Sequence, residues 1–182
     1  LRHVHTEAGG HFDAMTAVFD RISAGKDANT VACDKDPAAV EKDYLRCKHE
    51  GSTAILPLVL DLTNPSPDIG WDNAEREAFT ARGPADMVLA LALIHHLAIG
   101  HHVPLERCGL FFSRLCRWLV IEFVPKSDSQ VQRMLASRED IFDFYTWDHF
   151  EEAFSRYFSI KKKVSLRGNS ARILYLMERK EK

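Results

Sequence analysis

Four apolar segments of the chain each carry a polar side chain at or near their carboxyl end. In chain order these side chains are Asp34, Asp61, the adjacent pair His95 and His96, and Glu122. A carboxylate can accept hydrogen bonds from both hydroxyls of a ribose or from an exocyclic amine. An imidazole with a pKa near neutrality can accept a proton from a substrate. The pattern therefore indicates an active site that binds a nucleotide-like group and moves a proton.

Simpler explanations exist for the same residues. An aspartate that follows a strand can cap the next helix, which is a structural role. Two histidines at the end of a buried strand can mark the point where side chains return to water. The order of the surrounding elements decides between these explanations and an active site.

The apolar segments predict strands that alternate with helices. We expect strands at 30–33, 54–60, 86–94 and 118–124, with a helix that begins at Pro37 and another over 105–117. Alternation of this kind is typical of a doubly wound parallel sheet, in which ligands bind at the carboxyl ends of the strands. The four polar strand ends then meet at one edge of the sheet.

The C-terminal part predicts a different arrangement. A helix is expected over 146–157, with Asp148 and Glu151 as a capping box, followed by strands at 159–166 and 171–178. The short turn between these strands requires antiparallel pairing. The long connection 125–145 is a candidate substrate lid.

Composition narrows the class of protein. The 182 residues fit a single domain over 1–182, and the net charge of −2 makes nucleic acid an unlikely partner. No apolar stretch approaches the roughly 20 residues that span a bilayer, so we expect no membrane segment. Four cysteines without regular spacing argue against a disulfide framework and favour the cytoplasm. The sequence does not indicate an oligomeric state.

Four stretches carry a family resemblance: "VACDKDPAAVE", "LPLVLDL", "DMVLALALIHHL" and "LVIEFVPK", in that order. They resemble the successive motifs of class I S-adenosylmethionine-dependent methyltransferases, and the closing hairpin resembles the reversed last strand of that family. "LDLTNPSPDIGW" with "IHHL" and "REDIF" is most similar to the nodulation-protein-related methyltransferase group. The resemblance implies a Rossmann-like α/β fold, methyl transfer and S-adenosylmethionine as cofactor.

The resemblance also implies which residues bind the cofactor. Asp34 is expected at the ribose, Asp61 at the adenine amine, and the backbone amide of Leu62 at an adenine ring nitrogen. Lys35 and Leu91 are expected in the same pocket. Gly9, Gly10 and His11 are expected near the methionine end of the cofactor.

The first motif departs from the family pattern. The family has a strand, an acidic residue and a glycine-rich loop, whereas "HVHTEAGGHF" keeps only the trailing glycines. We therefore expect the first strand and its glycine loop to be incomplete, and a natural chain to contain a central parallel strand ahead of Gly10.

The histidine pair suggests how the acceptor loses its proton. His96 is the preferred base, because the residue just beyond the strand is freer to turn toward the ligand edge, and His95 then lines the pocket floor. Glu122 lies on the neighbouring predicted strand and completes the catalytic set. On charge grounds, the acceptor is expected to be a small molecule or a glycan-like compound.

Three alternatives stay open at this point. An NAD(P)-dependent oxidoreductase also needs a ribose-binding aspartate, but the complete G-x-G-x-x-G is absent. A non-catalytic binding or regulatory domain of the same fold is compatible with the altered first motif. A metal site at His95, His96, His101 and His102 lacks the usual i, i+4 ligand spacing, so we expect no metal.

Overall fold

The computed structural model describes residues 2–7, 29–166 and 171–181, the first of these ranges by its backbone alone. The chain divides into two compact units. The first unit comprises residues 1–89 with 114–116, and the second comprises residues 90–113 with 117–182.

The first unit is built around parallel strands. Its elements are β1 (Arg2–Glu7), β2 (Asn29–Asp34), α1 (Pro37–Glu50), β3 (Ile55–Val59) and β4 (Ala85–Ala90), of which the last residue belongs to the second unit. The strands lie in the order β3-β2-β1-β4. Strand β2 pairs in parallel with both β1 and β3. The expected parallel arrangement is confirmed here.

Local signals at both ends explain why α1 forms where the sequence predicted it. The Asp36 side chain caps the N-terminus by accepting a hydrogen bond from the Ala38 amide at 2.9 Å. Pro37 occupies the first turn, where its fixed φ suits a helix and its missing N–H costs nothing. Gly51 ends the helix with a φ of 66°, in the left-handed region that glycine adopts without strain.

Strand β1 bears on the expectation of an incomplete first motif. It precedes Gly9 and pairs with β2 residue by residue, so that Glu7, its last residue, lies opposite Asp34. A parallel strand that ends on an acidic residue is therefore present ahead of the glycines. Residues 8–28, with the glycine loop, lie outside the described residues, and the expectation about that loop stays a prediction.

The second unit combines helices with antiparallel strands. Its elements are α2 (Leu105–Leu115), β5 (Cys116–Phe123), α3 (Ser129–Leu135), α4 (Trp147–Ser155), β6 (Phe158–Ser165) and β7 (Ile173–Arg179), with residues 114–116 assigned to the first unit. Strand β7 pairs antiparallel with β5 on one side and β6 on the other. This confirms the predicted C-terminal hairpin and the α/β class.

An aromatic core holds the second unit together. Phe150 of α4 packs against Phe154 at 4.4 Å, Phe123 of β5 at 5.0 Å and Tyr175 of β7 at 5.1 Å between ring centroids. All four rings are fully or almost fully buried. Aromatic pairs in this distance range contribute about 0.5–1.5 kcal/mol each beyond their buried area. The packing fixes β5 and β7, the two strands that carry the charged groups described below.

One local prediction was wrong. Helix α4 is capped by Thr146, whose hydroxyl accepts from the His149 amide at 3.3 Å, so Asp148 and Glu151 form no capping box. Glu151 instead accepts from Lys163 and from the Tyr175 hydroxyl. The segment predicted as a long connection contains α3.

Two further findings bear on the class of protein. Among the described residues, no helix is both long and apolar enough to cross a membrane. All four cysteines of the chain are buried and none of them is in a disulfide: Cys33, Cys47, Cys108 and Cys116.

Candidate functional site

Asp34 is a buried carboxylate with one oxygen left without a partner. It is the last residue of β2 and only 1% of its surface is exposed. Its Oδ1 accepts a hydrogen bond from the Asp36 amide at 2.7 Å, whereas its Oδ2 has no partner among the residues that the structure describes. Burial raises the pKa of Asp34 above its usual range, although the Asp36 amide lowers it in part. An unsatisfied buried oxygen is costly, so its retention points to a ligand that supplies the missing donor.

The neighbours of Asp34 fit a ligand pocket at this strand end. Cys33 precedes it, and burial together with the Asp34 charge raises the pKa of that thiol to about 12, which keeps it protonated. Lys35 follows it and is exposed. The Asp34 carboxylate thus lies between a buried apolar strand and water, where a bound ribose could reach it.

Asp61 has a different environment within the same unit. It is exposed, and its Oδ1 accepts from both the amide and the hydroxyl of Thr63, at 2.8 and 2.7 Å. These bonds close a turn of the kind that aspartate commonly forms with the backbone two residues on. Leu62, whose amide was expected to contact the adenine ring, is half-buried inside this turn. The turn fixes the direction of the chain after β3.

Of the other residues expected to bind the cofactor, only some belong to the described part of the chain. Leu91 is buried, with 1% of its surface exposed, immediately after β4. Gly9, Gly10 and His11 lie outside the described residues. Their expected place near the methionine end of the cofactor stays a prediction.

The two histidines do not end a strand, contrary to the prediction. Strand β4 ends at Ala90, and the apolar residues that follow it form a loop and then a helical turn. His95 lies in that turn, directly before the π-helical segment His96–Gly100. The strand was predicted to continue to Ile94 because apolar composition alone does not show where the backbone leaves the sheet. The alternation of side chains along a strand therefore does not apply to these two imidazoles, because neither histidine lies in a strand.

The histidines form a contacting pair with unequal exposure. Their ring centroids are 4.3 Å apart. His95 is 2% exposed and its Nδ1 has no hydrogen-bond partner in the described part of the chain, whereas His96 is half-buried. Burial first, and then the nearby His96 and Arg172, lower the pKa of His95 to about 3, against an opposing effect of Asp128. His95 is therefore a neutral ring at physiological pH.

Glu122 is engaged by the chain itself. It is 1% exposed, and its Oε2 accepts from the Ala92 amide at 2.8 Å while its Oε1 accepts from Arg172 Nη1 at 3.2 Å. Both oxygens are occupied. Glu122 thereby supports the loop that leads to the histidines, and its expected place in the catalytic set stays a prediction.

Sequence reasoning missed two charged residues at this place, Arg172 and Asp128. Asp128 accepts from Arg172 at 2.7 Å and 3.0 Å through its two oxygens, and it also caps α3 by accepting from the Gln130 amide at 2.9 Å. Arg172 bonds lower the pKa of Asp128. In the sequence, the only sign of this charged cluster was a single arginine directly before an apolar strand.

Among the residues that the structure describes, no group of three or more histidine, cysteine or acidic side chains is placed to hold a metal ion. His102 instead stacks on Phe142, with ring centroids 5.3 Å apart.

Comparison with solved structures identifies the class of fold. The chain superposes with a TM-score of 0.59 on an S-adenosylmethionine-dependent methyltransferase from Aquifex aeolicus, at 13% identity, over 97% of this chain and 81% of that one. It also matches the O-methyltransferase NcsB1 from neocarzinostatin biosynthesis, with a TM-score of 0.57 at 12% identity, over 97% of this chain and 48% of that one. The fold is that of class I S-adenosylmethionine-dependent methyltransferases.

The sequence has a nearer relative. It is 44% identical over 151 residues to the nodulation protein NoeA of Rhizobium meliloti, which covers 83% of this chain and 31% of NoeA. The chain therefore spans about a third of the length of that relative. No family model matches. The resemblance to methyltransferases and to the nodulation-protein-related group is confirmed.

Proposed function

We propose that this chain transfers a methyl group from S-adenosylmethionine to a small-molecule or glycan-like acceptor. The observation that carries the proposal is the buried Asp34 carboxylate, which keeps one oxygen without a partner at the end of β2. The shared methyltransferase fold supports it, as does the structure of NcsB1, which was determined with S-adenosylmethionine and a naphthoic acid.

The residues present suit this cofactor. Asp34 offers a free acceptor oxygen for a ribose hydroxyl, and its buried position strengthens that hydrogen bond. Asp61 and Leu62 are proposed for the adenine amine and a ring nitrogen, with Lys35 and Leu91 as further pocket residues. Gly9, Gly10 and His11 are proposed near the methionine end. When bound, the cofactor supplies an electrophilic methyl group on a sulfonium.

The protein's part in such a reaction is mainly alignment and proton removal. In-line displacement requires the acceptor to be held on the axis of the breaking bond, away from water. His96 is proposed as the group that accepts the acceptor's proton, because it is half-buried and therefore reachable. His95 is proposed to line the pocket, since a ring with a pKa of about 3 is a weak base.

The place of the reaction is also proposed. The four free thiols suit a reducing compartment, and we infer the cytoplasm. No nucleic acid is proposed as acceptor, because the net charge of −2 provides no field that would collect it.

Calorimetric titration with S-adenosylhomocysteine tests the cofactor assignment. Asp34→Asn should weaken binding about 30- to 100-fold, as expected for the loss of about 2–3 kcal/mol from a charge-assisted hydrogen-bond pair. Asp43→Asn is the matched control: Asp43 is also buried, in α1, and has an unpartnered Oδ2, but Arg46 of the same helix pairs with it. The control should bind as the wild type does. Equal affinity in both variants would contradict the ribose assignment.

A transfer assay tests the base. Tritiated methyl transfer from S-adenosylmethionine to a panel of phenols, amines and oligosaccharides should reveal an acceptor. With that acceptor, His96→Ala should lower turnover by roughly 10²- to 10⁴-fold and leave cofactor affinity unchanged. His95→Ala should lower it less. Wild-type turnover in both variants would exclude a base role for either ring, and absence of any transfer would favour a non-catalytic domain.

A further inference from the structure

One arginine joins three parts of the second unit. Arg172, next to the start of β7, donates to Glu122 of β5 and makes two hydrogen bonds to Asp128, which precedes α3. The side chains of Glu122 and Asp128 are 2% and 4% exposed, and that of Arg172 is 25% exposed. The fork of a guanidinium matches a carboxylate with two parallel bonds, as it does here at Asp128.

Each carboxylate in turn holds a backbone group. Glu122 accepts from the amide of Ala92, a residue other than glycine with a φ of 48° in the left-handed region. Such a backbone conformation is costly for alanine and persists only when the surroundings impose it. Ala92 lies three residues before His95. The Glu122 carboxylate therefore stabilises the strained residue that directs the chain from β4 into the histidine turn.

The same cluster surrounds the imidazole of His95. The groups that influence its protonation are His96 beside it, Arg172 and Asp128. The positive Arg172 disfavours a proton on the ring, and Asp128 favours one. As long as Arg172 is paired with Asp128, its positive charge offsets the effect of the Asp128 carboxylate on the protonation of His95. Removal of the arginine would leave the buried Glu122 and Asp128 without a counter-charge, and the Asp128 charge would then favour a proton on the ring.

We propose that Arg172 is a positioning residue for the histidine pair: clamped between Glu122 and Asp128, it fixes the loop that presents His95 and His96 to the methyl acceptor. The inference rests on the proposed function of the histidines in methyl transfer. Arg172 acts through Glu122 and Ala92, and its charge adds to the effect of burial that keeps His95 unprotonated, so that the pair offers one neutral ring beside the working base.

The protonation of His95 is a readout that a merely structural arginine would not change. Long-range ¹H–¹⁵N spectra of the imidazoles, recorded from pH 4 to 8 on the full chain, report the charge of each ring. In the wild type, His95 should stay neutral throughout. In Arg172→Met its pKa should rise into this pH range, because a repelling cation is lost and Asp128 loses its partner. Arg172→Lys should restore a pKa close to that of the wild type.

Two further variants keep the test decisive. Asp128→Asn preserves the cap of α3, since asparagine also caps helices, but it removes one of the arginine's carboxylates. The variant keeps Arg172, which disfavours a proton on His95, and loses the charge of Asp128, which favours one. His95 should therefore stay neutral, as in the wild type. If Arg172→Met fails to fold, Arg172→Gln takes its place with the same expected rise. The control is Arg117→Met, which removes an exposed arginine paired with Glu178 at 3.1 Å and should leave His95 unchanged.

The outcomes separate this inference from the proposed function. A rise in the His95 pKa in the Arg172 variants that lysine reverses supports the positioning role. An unchanged His95 in a folded Arg172 variant overturns it, whatever the stability of that variant. Failure of the wild type to bind S-adenosylhomocysteine would instead overturn the proposed function, and the imidazole spectra would be unaffected by that result.

Discussion

Two buried carboxylates, Asp34 in the first unit and Glu122 in the second, are equally hidden from water but differ in their partners. Each is 1% exposed. Asp34 receives a single backbone hydrogen bond on Oδ1 and keeps Oδ2 unpartnered. Glu122 receives a backbone amide on one oxygen and a guanidinium on the other. The two carboxylates are thus equally buried, but of the two only Glu122 has a hydrogen-bond partner on both oxygens among the described residues.

The difference separates a group kept for a ligand from a group kept for the fold. A buried carboxylate that lacks both a partner for one oxygen and an arginine beside it destabilises the protein without ligand, and a ligand that supplies the missing donor would offset this cost. A carboxylate with both oxygens occupied by the chain stabilises one conformation of that chain. We therefore propose that Asp34 is kept for binding and Glu122 for positioning.

Removal of the cation from the satisfied cluster should have the largest effect on stability. Arg172→Met leaves two buried carboxylates without a counter-charge, so the free energy of unfolding should fall by about 3 kcal/mol. Urea denaturation followed by circular dichroism measures it. Arg117→Met, at an exposed pair whose arginine side chain is 63% exposed, should cost no more than about 0.5 kcal/mol. Similar losses of stability in both variants would contradict the larger contribution expected of the buried cluster.

Acid should destabilise the protein through His95. Its folded pKa of about 3 is below the value of about 6.5 in an unfolded chain, so between these values only the unfolded state binds the proton. Stability therefore falls as pH decreases through the unfolded pKa, by about 2 kcal/mol from this group between pH 7 and pH 5. His95→Leu should lose that part of the pH dependence. Denaturation midpoints at several pH values compare the two proteins, and identical slopes would contradict the neutral ring.

Asp34 should change the stability of the protein less than His95 does, and its contribution should fall rather than rise with increasing pH. Its folded pKa is raised, so the stability that its neutral form contributes is lost as pH rises through that folded pKa. At pH 7, Asp34→Asn should therefore stabilise the ligand-free protein by about 1 kcal/mol. Thermal unfolding without ligand, at pH 7 and pH 4, tests this, and the gain should shrink at the lower pH. A destabilised variant at pH 7 would mean that the carboxylate is satisfied in the free protein.

Local signals made the Asp34 region predictable. The strand, the aspartate at its end, the capping Asp36 and the proline that opens α1 all lie within eight residues of one another. Each signal concerns neighbours in sequence, and each points to the same structure. The C-terminal hairpin was predictable for the same reason, because a short turn between two apolar segments leaves only antiparallel pairing.

The histidine region was not predictable in this way. The end of β4 and the turn at Ala92 depend on Glu122, which is 30 residues away in sequence. The arginine that holds Glu122 is a further 50 residues on, and Asp128 is 44 residues from that arginine. Apolar composition from Met87 to Ile94 carries no trace of these contacts, so the predicted strand continued too far. The same distance explains why Arg172 was missed.

The most direct test of the central claim measures stability and binding together in Asp34→Asn. Thermal unfolding of the wild type and the variant, each with and without S-adenosylhomocysteine, gives both quantities at pH 7. The account predicts that the variant is the more stable protein without ligand and is stabilised less by the ligand, consistent with an affinity about 30- to 100-fold lower. A variant that gains as much stability from the ligand as the wild type does would contradict the claim that Asp34 is kept for the cofactor.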